Sequence, residues 1–407
     1  MMQDKITEFI KNNWNSCIRY EPEDKDTLIG MPYPYIVPSP QESLQEMYYW
    51  DTFFTCKGLI LTERGEIAKN CTDNMLYMVE RFGFMPNGNR TYYLSQSQPP
   101  YLSMMVMDVY RLYNDLQWLS KAYNILKKEY EFWMTKRITP VGLNQFGINE
   151  DYIGDVDKHY YSICKRIDYL FPSDDHFDFA KNALSDCESG WDFNPRAAMN
   201  QSKYIYVDLN SNLYIYEKNF EYFSNILNNG ESQKWNEVAM KRLKLMNKYL
   251  WNGKAFMDYN FVENEFSPVF SVASFYPLWA NIATEEQAKS TVEMLDKLEF
   301  EYGISTCAEN NVPGSYQWDY PNGWAPLQYI MICALDRYGY QTEAIRVAEK
   351  YIRAMERMFE RTGCLWEKYN VLTGDNDTVS DYQSRVMIGW TAGVYIFAKQ
   401  YLKKALK

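Results

Sequence analysis

Three times the chain places Trp directly before Asp in aromatic, turn-rich surroundings: Tyr48-Tyr49-Trp50-Asp51, Ser189-Gly190-Trp191-Asp192 and Tyr316-Gln317-Trp318-Asp319. An indole face covers the apolar side of a pyranose ring, and a neighbouring carboxylate accepts hydrogen bonds from its hydroxyls or handles a proton. The pairing therefore supplies what a carbohydrate site needs. The bland alternative is that buried indoles fill the core and the Asp beside each is a helix cap. Propeller repeats also carry Trp-Asp, but at a period of roughly 40 residues. Here the steps are 141 and 127 residues, so a propeller is excluded.

Other chemistries find few residues to use. His159 and His176 are the only two histidines and lie in charged, Tyr- or Asp-rich stretches, where exposed polar roles are expected. No His/Cys metal cluster, calcium-loop spacing, phosphate loop or dinucleotide fingerprint is present, so neither metal nor cofactor is expected. Carboxylates remain, and a pair of them suffices to cleave a glycosidic bond. One protonates the leaving oxygen; the other activates water or attacks the anomeric carbon from across the ring. Candidates in aromatic or Gly-containing settings are Asp51, Glu150, Asp192, Asp319, Glu367 and Asp381. Periodicity does not rank them.

The elements that must position these groups read as helices. From Thr342 to Glu360 the apolar set Ala344, Ile345, Ala348, Tyr351, Ile352, Met355 and Phe359 recurs at three and four, with Glu and Arg on the opposite face. Similar patterns run through Leu116–Met134, Tyr214–Leu227, Trp235–Leu250, Glu286–Leu298 and Ile388–Leu402. Short Gly-, Pro- and Asn-rich connections separate them. No sustained strand pattern appears and no low-complexity linker divides the chain, so any sheet is expected to be minor and the fold all-α. Paired helices suit a bundle, a solenoid or a closed toroid, and the pattern leaves that choice open.

With 407 residues and 46% hydrophobic content, the chain can bury a large core. A net charge of −11 argues against nucleic acid and anionic membrane as partners, and fits a small carbohydrate. Aromatic content is 17%, with 36 Tyr, more than packing alone requires. Eight Cys stand without CxxC or metal spacing and read as reduced thiols. Met1 to Trp14 lack an apolar h-region, and no apolar run approaches a membrane span, so the cytoplasm is the expected compartment.

The wording of the motifs carries further than their composition. Gln317 to Gln328, read Gln-Trp-Asp-Tyr-Pro-Asn-Gly-Trp-Ala-Pro-Leu-Gln, resembles the second signature of the trehalase family of inverting glycoside hydrolases. Pro86 to Pro100 resembles another stretch of that family, as do Tyr48 to Phe54, Ser189 to Phe193, Val207 to Asn210 and Glu367 to Tyr369. The motifs stand in the family's order from Pro34 to Gly393. The resemblance implies a single-domain (α/α)6 toroid over residues 34–407, preceded by an N-terminal helix and lead-in over 1–33. It implies Asp192 as general acid and Glu367 as general base. Tyr48, Trp50, Asp51, Asn87, Gln96, Gln98, Glu150, Gly190, Trp318, Trp324 and Asp381 are the matching substrate-binding positions, Asp381 standing for a Glu.

Three departures concern arginine. The family carries Arg in a Pro-Gly-Gly-Arg-Phe run before the first Trp-Asp; here Pro38 to Gln45 has none. A second family Arg is replaced by Gln96 and a third by Ile148. In that family the arginines clamp the substrate and balance the carboxylates, and Gln does not replace a guanidinium's charge or its five donors. The leading expectation is hydrolysis of trehalose or a related small α-glucoside. The alternatives are another α-linked disaccharide or a sugar-acid solute, and a sugar-binding protein whose catalysis has lapsed. A phosphorylase is disfavoured, because phosphate would take the place of Glu367. Should other donors line the cleft, the Lys158–Arg166 stretch is where to look.

Overall fold

The computed structural model of the chain describes residues 2–41, 44–166, 174–378 and 384–407. Its helices are α1 (Met2–Asn13), α2 (Tyr49–Leu61), α3 (Gly65–Phe82), α4 (Leu102–Tyr113), α5 (Leu116–Lys136), α6 (Val156–Arg166), α7 (His176–Glu188), α8 (Val207–Leu227), α9 (Ser232–Tyr249), α10 (Tyr276–Trp279), α11 (Glu285–Val292), α12 (Ala325–Arg337), α13 (Gln341–Thr362) and α14 (Gly389–Ala405). Inner neighbours pack α4 on α8, α8 on α10, α10 on α12, α12 on α14 and α14 on α2. Phe53 of α2 stacks on Tyr101 at the head of α4, ring centroids 4.5 Å apart. α1, α3, α5, α9, α11 and α13 form the outer ring. The result is an (α/α)6 toroid.

Two glycines let the ring close. A methyl group on Gly58 of α2 would lie 2.5 Å from the Gly393 Cα of α14, and one on Gly393 would lie 2.3 Å from the Phe54 carbonyl oxygen. These backbones touch where any side chain would hold them apart.

Outer and inner helices differ in how they read. On α13, Ala344, Val347, Ala348, Tyr351, Ile352, Met355 and Met358 are buried, and their spacing of three or four is the stripe seen in sequence. α12 is buried at nearly every position from Ala325 to Leu335, so it offers no alternation to detect. α8 begins at Val207, seven residues before the apolar pattern starts, because Asp208, Asn210, Ser211 and Asn212 are buried polar residues. The stretch expected as Glu286–Leu298 is helical only to Val292, followed by a 3-10 turn at Leu295–Lys297.

The lead-in is part of the same core. Ile6, Ile10 and Trp14 are buried in the main cluster, and α1 packs on α13. A separate small cluster joins Tyr160 and Ile163 of α6 to Phe179 and Ala183 of α7, and takes in Phe193, Met199 and Tyr316. His176 stacks on Tyr160 at 3.7 Å and its Nδ1 bonds Asp157 at 2.7 Å, so it is half-buried packing rather than the exposed polar residue expected. Strands are two or three residues long. One ribbon matters for the site: Asn322–Trp324 pairs antiparallel with Lys368–Asn370, setting Trp324 opposite Lys368. Among the described residues no helix is long and apolar enough to cross a membrane.

Candidate active site

The three Trp-Asp steps meet at one end of the ring but do not share one role. Trp50 and Asp51 stand in the first turn of α2, Asp192 follows α7, and Trp318 lies in the connection before the Asn322–Trp324 strand. All four line a cavity of about 500 Å3. Trp191 lies behind it, fully buried, with its ring stacked 5.9 Å from Trp318. Asp319 is turned away as a structural acceptor, taking Asn310 Nδ2 at 2.8 Å and the Tyr320 amide at 2.7 Å. Its burial pushes its carboxyl up to about 6.

The same cavity is lined by Tyr48, Asn87, Gln96, Gln98, Gly190, Trp324 and Glu367, so most of the residues expected from sequence come together. Glu150 does not. It sits in the 3-10 turn Glu150–Tyr152, 60% exposed, with Lys181 Nζ 3.5 Å from its Oε1. The structure thus sets the Glu150 side chain at the surface, apart from the residues that line the cavity. Asp381 lies outside the described residues. Arg166, from the Lys158–Arg166 stretch named as a source of further donors, lines the cavity too, and Arg385, Tyr93, Cys187, Gln317, Met387 and Trp390 do so without having been expected there. Arg166 was within reach of sequence reasoning only as part of a charged stretch; an isolated Arg at a helix end carries no pattern.

Local structure explains each placement. The α2 N-terminus has no cap from Tyr48, and Gln98 Oε1 accepts the Trp50 amide at 3.1 Å instead. The Tyr49 amide donates to the Asn87 carbonyl and the Asn87 amide to the Gln96 carbonyl, both at 3.0 Å. Two motifs distant in sequence, Tyr48–Phe54 and Pro86–Pro100, are thereby tied together. Gly190 has φ +77, and a Cβ there would lie 2.7 Å from the Trp50 ring. Only glycine lets the chain turn over that indole and deliver Asp192.

Beneath this layer lie two buried ion-pair groups. Glu188 ends α7 and takes Arg137 Nε and Nη2 and the Ser97 amide, each at 2.8 Å, with the Gly147 amide at 2.7 Å. It anchors both the Gln96–Gln98 segment of the rim and the approach to Gly190. Arg196, fully buried, forks onto Asp208 (3.0 and 2.9 Å) and Asp258 (2.7 and 2.9 Å) and lies 4.4 Å from the Trp191 ring. All these carboxylates are multiply hydrogen-bonded, the condition under which a buried charge is tolerated.

The floor is indole. Trp318 and Trp324 stack at 3.8 Å and 5°, and Trp390 meets Trp324 edge-on at 5.8 Å. One face of each stacked ring is already covered by the other, which limits the area left for a sugar. Lys368, fully buried, donates to Gln317 Oε1 at 2.8 Å, while its Nζ stands 3.9 Å from Glu367 Oε2 and 5.1 Å from the Trp324 ring centroid. The Glu367 amide donates to the Arg385 carbonyl at 2.8 Å, and Trp390 Nε1 to the Glu367 carbonyl at 3.2 Å. On the facing side, Gln317 Nε2 donates to the Asp192 carbonyl, and Arg166 Nη2 stands 3.5 Å from Asp192 Oδ2. Burial, with the nearby charges of Glu367 and Asp192, holds the Asp51 carboxyl well above the usual carboxylate range. The cavity thus presents a carboxyl whose ionisation is disfavoured beside two further carboxyl groups, with amides around them. That set can bind hydroxyls and move protons.

Comparison with known proteins places this arrangement. The family model for trehalase matches residues 2–403. Human trehalase is 30% identical over 400 residues, covering 92% of this chain and 68% of the human protein. A periplasmic trehalase of Xanthomonas oryzae pv. oryzae is 30% identical over 426 residues, covering 96% of this chain and 72% of its own length. Among solved structures, neutral trehalase Nth1 from Saccharomyces cerevisiae superposes with a TM-score of 0.78 at 27% identity, over 98% of this chain and 81% of that one. A mannosylglycerate hydrolase from Thermus thermophilus shares the fold, with a TM-score of 0.64 at 16% identity over 98% and 99% of the two chains.

Proposed function

Because the chain belongs to the trehalase family of glycoside hydrolases, we propose that it cleaves the α-glucosidic bond of a small disaccharide, trehalose or a related α-glucoside, with inversion. The observation that carries this reading is the meeting of Asp192, Glu367 and Asp51 in one indole-floored cavity of about 500 Å3. That is within the roughly 300–1,000 Å3 of small-molecule clefts.

In this reading Asp192 gives its proton to the glycosidic oxygen as the C1–O bond breaks. Glu367 takes a proton from a water whose oxygen bonds C1 from the opposite face. The products are two free sugars, the first released as its β-anomer. Asp51, whose ionisation burial opposes, meets a sugar hydroxyl beside Asp192 and Glu367. Two guanidinium groups in the cleft, Arg166 and Arg385, keep a sugar-acid α-glucoside as the second reading. Cytosol is the proposed compartment, on the strength of eight unbridged thiols.

The test is incubation with a panel of α-linked disaccharides, trehalose among them, following glucose release and the anomer first formed by proton NMR. Release of β-glucose, accompanied from trehalose by an equal amount of α-glucose from the leaving half, supports the proposal. Release of α-glucose alone would replace inversion by retention, and no release from any member would remove the hydrolase reading.

A further inference from the structure

Arg166 ends α6, a helix that belongs to neither ring. α6 packs on α7 through Tyr160 and Ile163, and the cluster they enter also holds Phe193 and Tyr316. Those two residues flank Asp192 and Gln317, so α6 lies across the rim of the cavity on the side of Asp192. Its last residue reaches inward over Phe193, with the guanidinium 4.9 Å from the ring centroid. Nη2 stands 3.5 Å from Asp192 Oδ2, and the two side chains keep 36% and 33% exposure. A pair so long and so open adds little to stability. Its fork instead borders the volume a ligand would fill.

The geometry points to Arg166 as the residue that recognises the leaving group of the substrate, an inference resting on Asp192 as general acid. A general acid works within hydrogen-bond reach of the oxygen it protonates. A guanidinium beside the acid therefore faces the aglycone side of the scissile bond. Its five fixed donors match an aglycone rich in oxygen acceptors, either the hydroxyls of a second sugar or the carboxylate of a sugar acid. Arg166 is thus a specificity residue carried on an element outside the toroid.

Three substrates separate the possibilities: trehalose, 2-O-α-glucosyl glycerate and methyl α-glucoside. All have alcohol leaving groups that need the acid, but the third has no acceptor-rich aglycone. Arg166→Gln is expected to lower kcat/KM about ten- to a hundredfold on the better of the first two, the worth of one charge-assisted hydrogen bond. The loss on methyl α-glucoside should be at least about ten times smaller, and Arg166→Lys should restore part of the loss. Which of the first two suffers more tells a sugar aglycone from an anionic one. Where methyl α-glucoside turns over too slowly, its inhibition constant against the better substrate supplies the comparison. Equal losses on all three would overturn the assignment, since Arg166 would then act through Asp192; unchanged rates on all three would do the same. Wild-type protein inert towards every one would remove the hydrolase reading, and this inference with it.

Discussion

Asp192 and Asp51 share a cavity yet are expected to respond differently to the same substitution. Asp192→Asn keeps shape and removes the transferable proton, so turnover should fall roughly 10²–10⁴-fold with folding intact. Burial, with the neighbouring Glu367 and Asp192, holds the Asp51 carboxyl above the usual range and so disfavours its ionised form. Asp51→Asn keeps a neutral hydrogen-bonding group at that place, and its loss should be at least about ten times smaller. Steady-state kinetics on one substrate checks both; equal losses would mean that Asp51 works ionised. At this scale the meeting of Asp192 and Glu367 in one cavity was legible because their neighbours, Gly190-Trp191 and Lys368-Tyr369, are distinctive in type and order. Arg385 was not, and Arg166 was legible only as one member of a charged stretch, since a lone charge has no period and only the folded chain brings it to the cleft. Glu150 shows the reverse failure. A matching letter was present, but the turn around it faces solvent and Lys181.

Elements were legible in proportion to their exposure. Outer helices such as α13 show a stripe because one face meets water. Inner helices such as α2 and α12 are buried all round and hide their period. The closeness of α2 and α14 was equally invisible, although Gly58 and Gly393 are its whole basis. Gly393→Ala should force the two backbones apart, because its new methyl would lie 2.3 Å from the Phe54 carbonyl oxygen. A loss of about 1–3 kcal/mol is expected, the usual range for overpacking. Urea unfolding followed by tryptophan fluorescence measures it, and an unchanged midpoint would show that the contact relaxes freely. Because the first turn of α2 carries Trp50 and Asp51, the same variant should also raise KM.

Across the whole molecule, one buried carboxyl ties several helices together. Glu129 on α5 receives the Tyr49 hydroxyl from α2 and the Tyr216 hydroxyl from α8, each at 2.7 Å, and Tyr49 in turn accepts the Leu102 amide of α4 at 2.9 Å. Burial raises its pKa to about 7 from an ordinary 4.5, the two hydroxyls opposing the rise. Between those values the folded protein holds a proton that the unfolded chain has lost. Stability contributed by this group is therefore full below about pH 4.5 and declines as pH rises through 7, by up to about 1.4 kcal/mol per unit. Glu129→Gln should flatten that slope in a series of Tm measurements from pH 4.5 to 8. An unaltered slope would place the titration elsewhere.

The small cluster beneath α6 has a consequence for how the protein can change. Its seven buried side chains form a core apart from the main one, so α6 can open without the ring opening. Amide hydrogens of α6 should exchange with solvent far sooner than those of α2 and α14, at a free energy well below that of global unfolding. The residue at the mouth of the cavity is then carried on a replaceable part. Lineages could exchange α6, and with it the choice of leaving group, while the carboxylates of the cavity and the ring that holds them stay as they are.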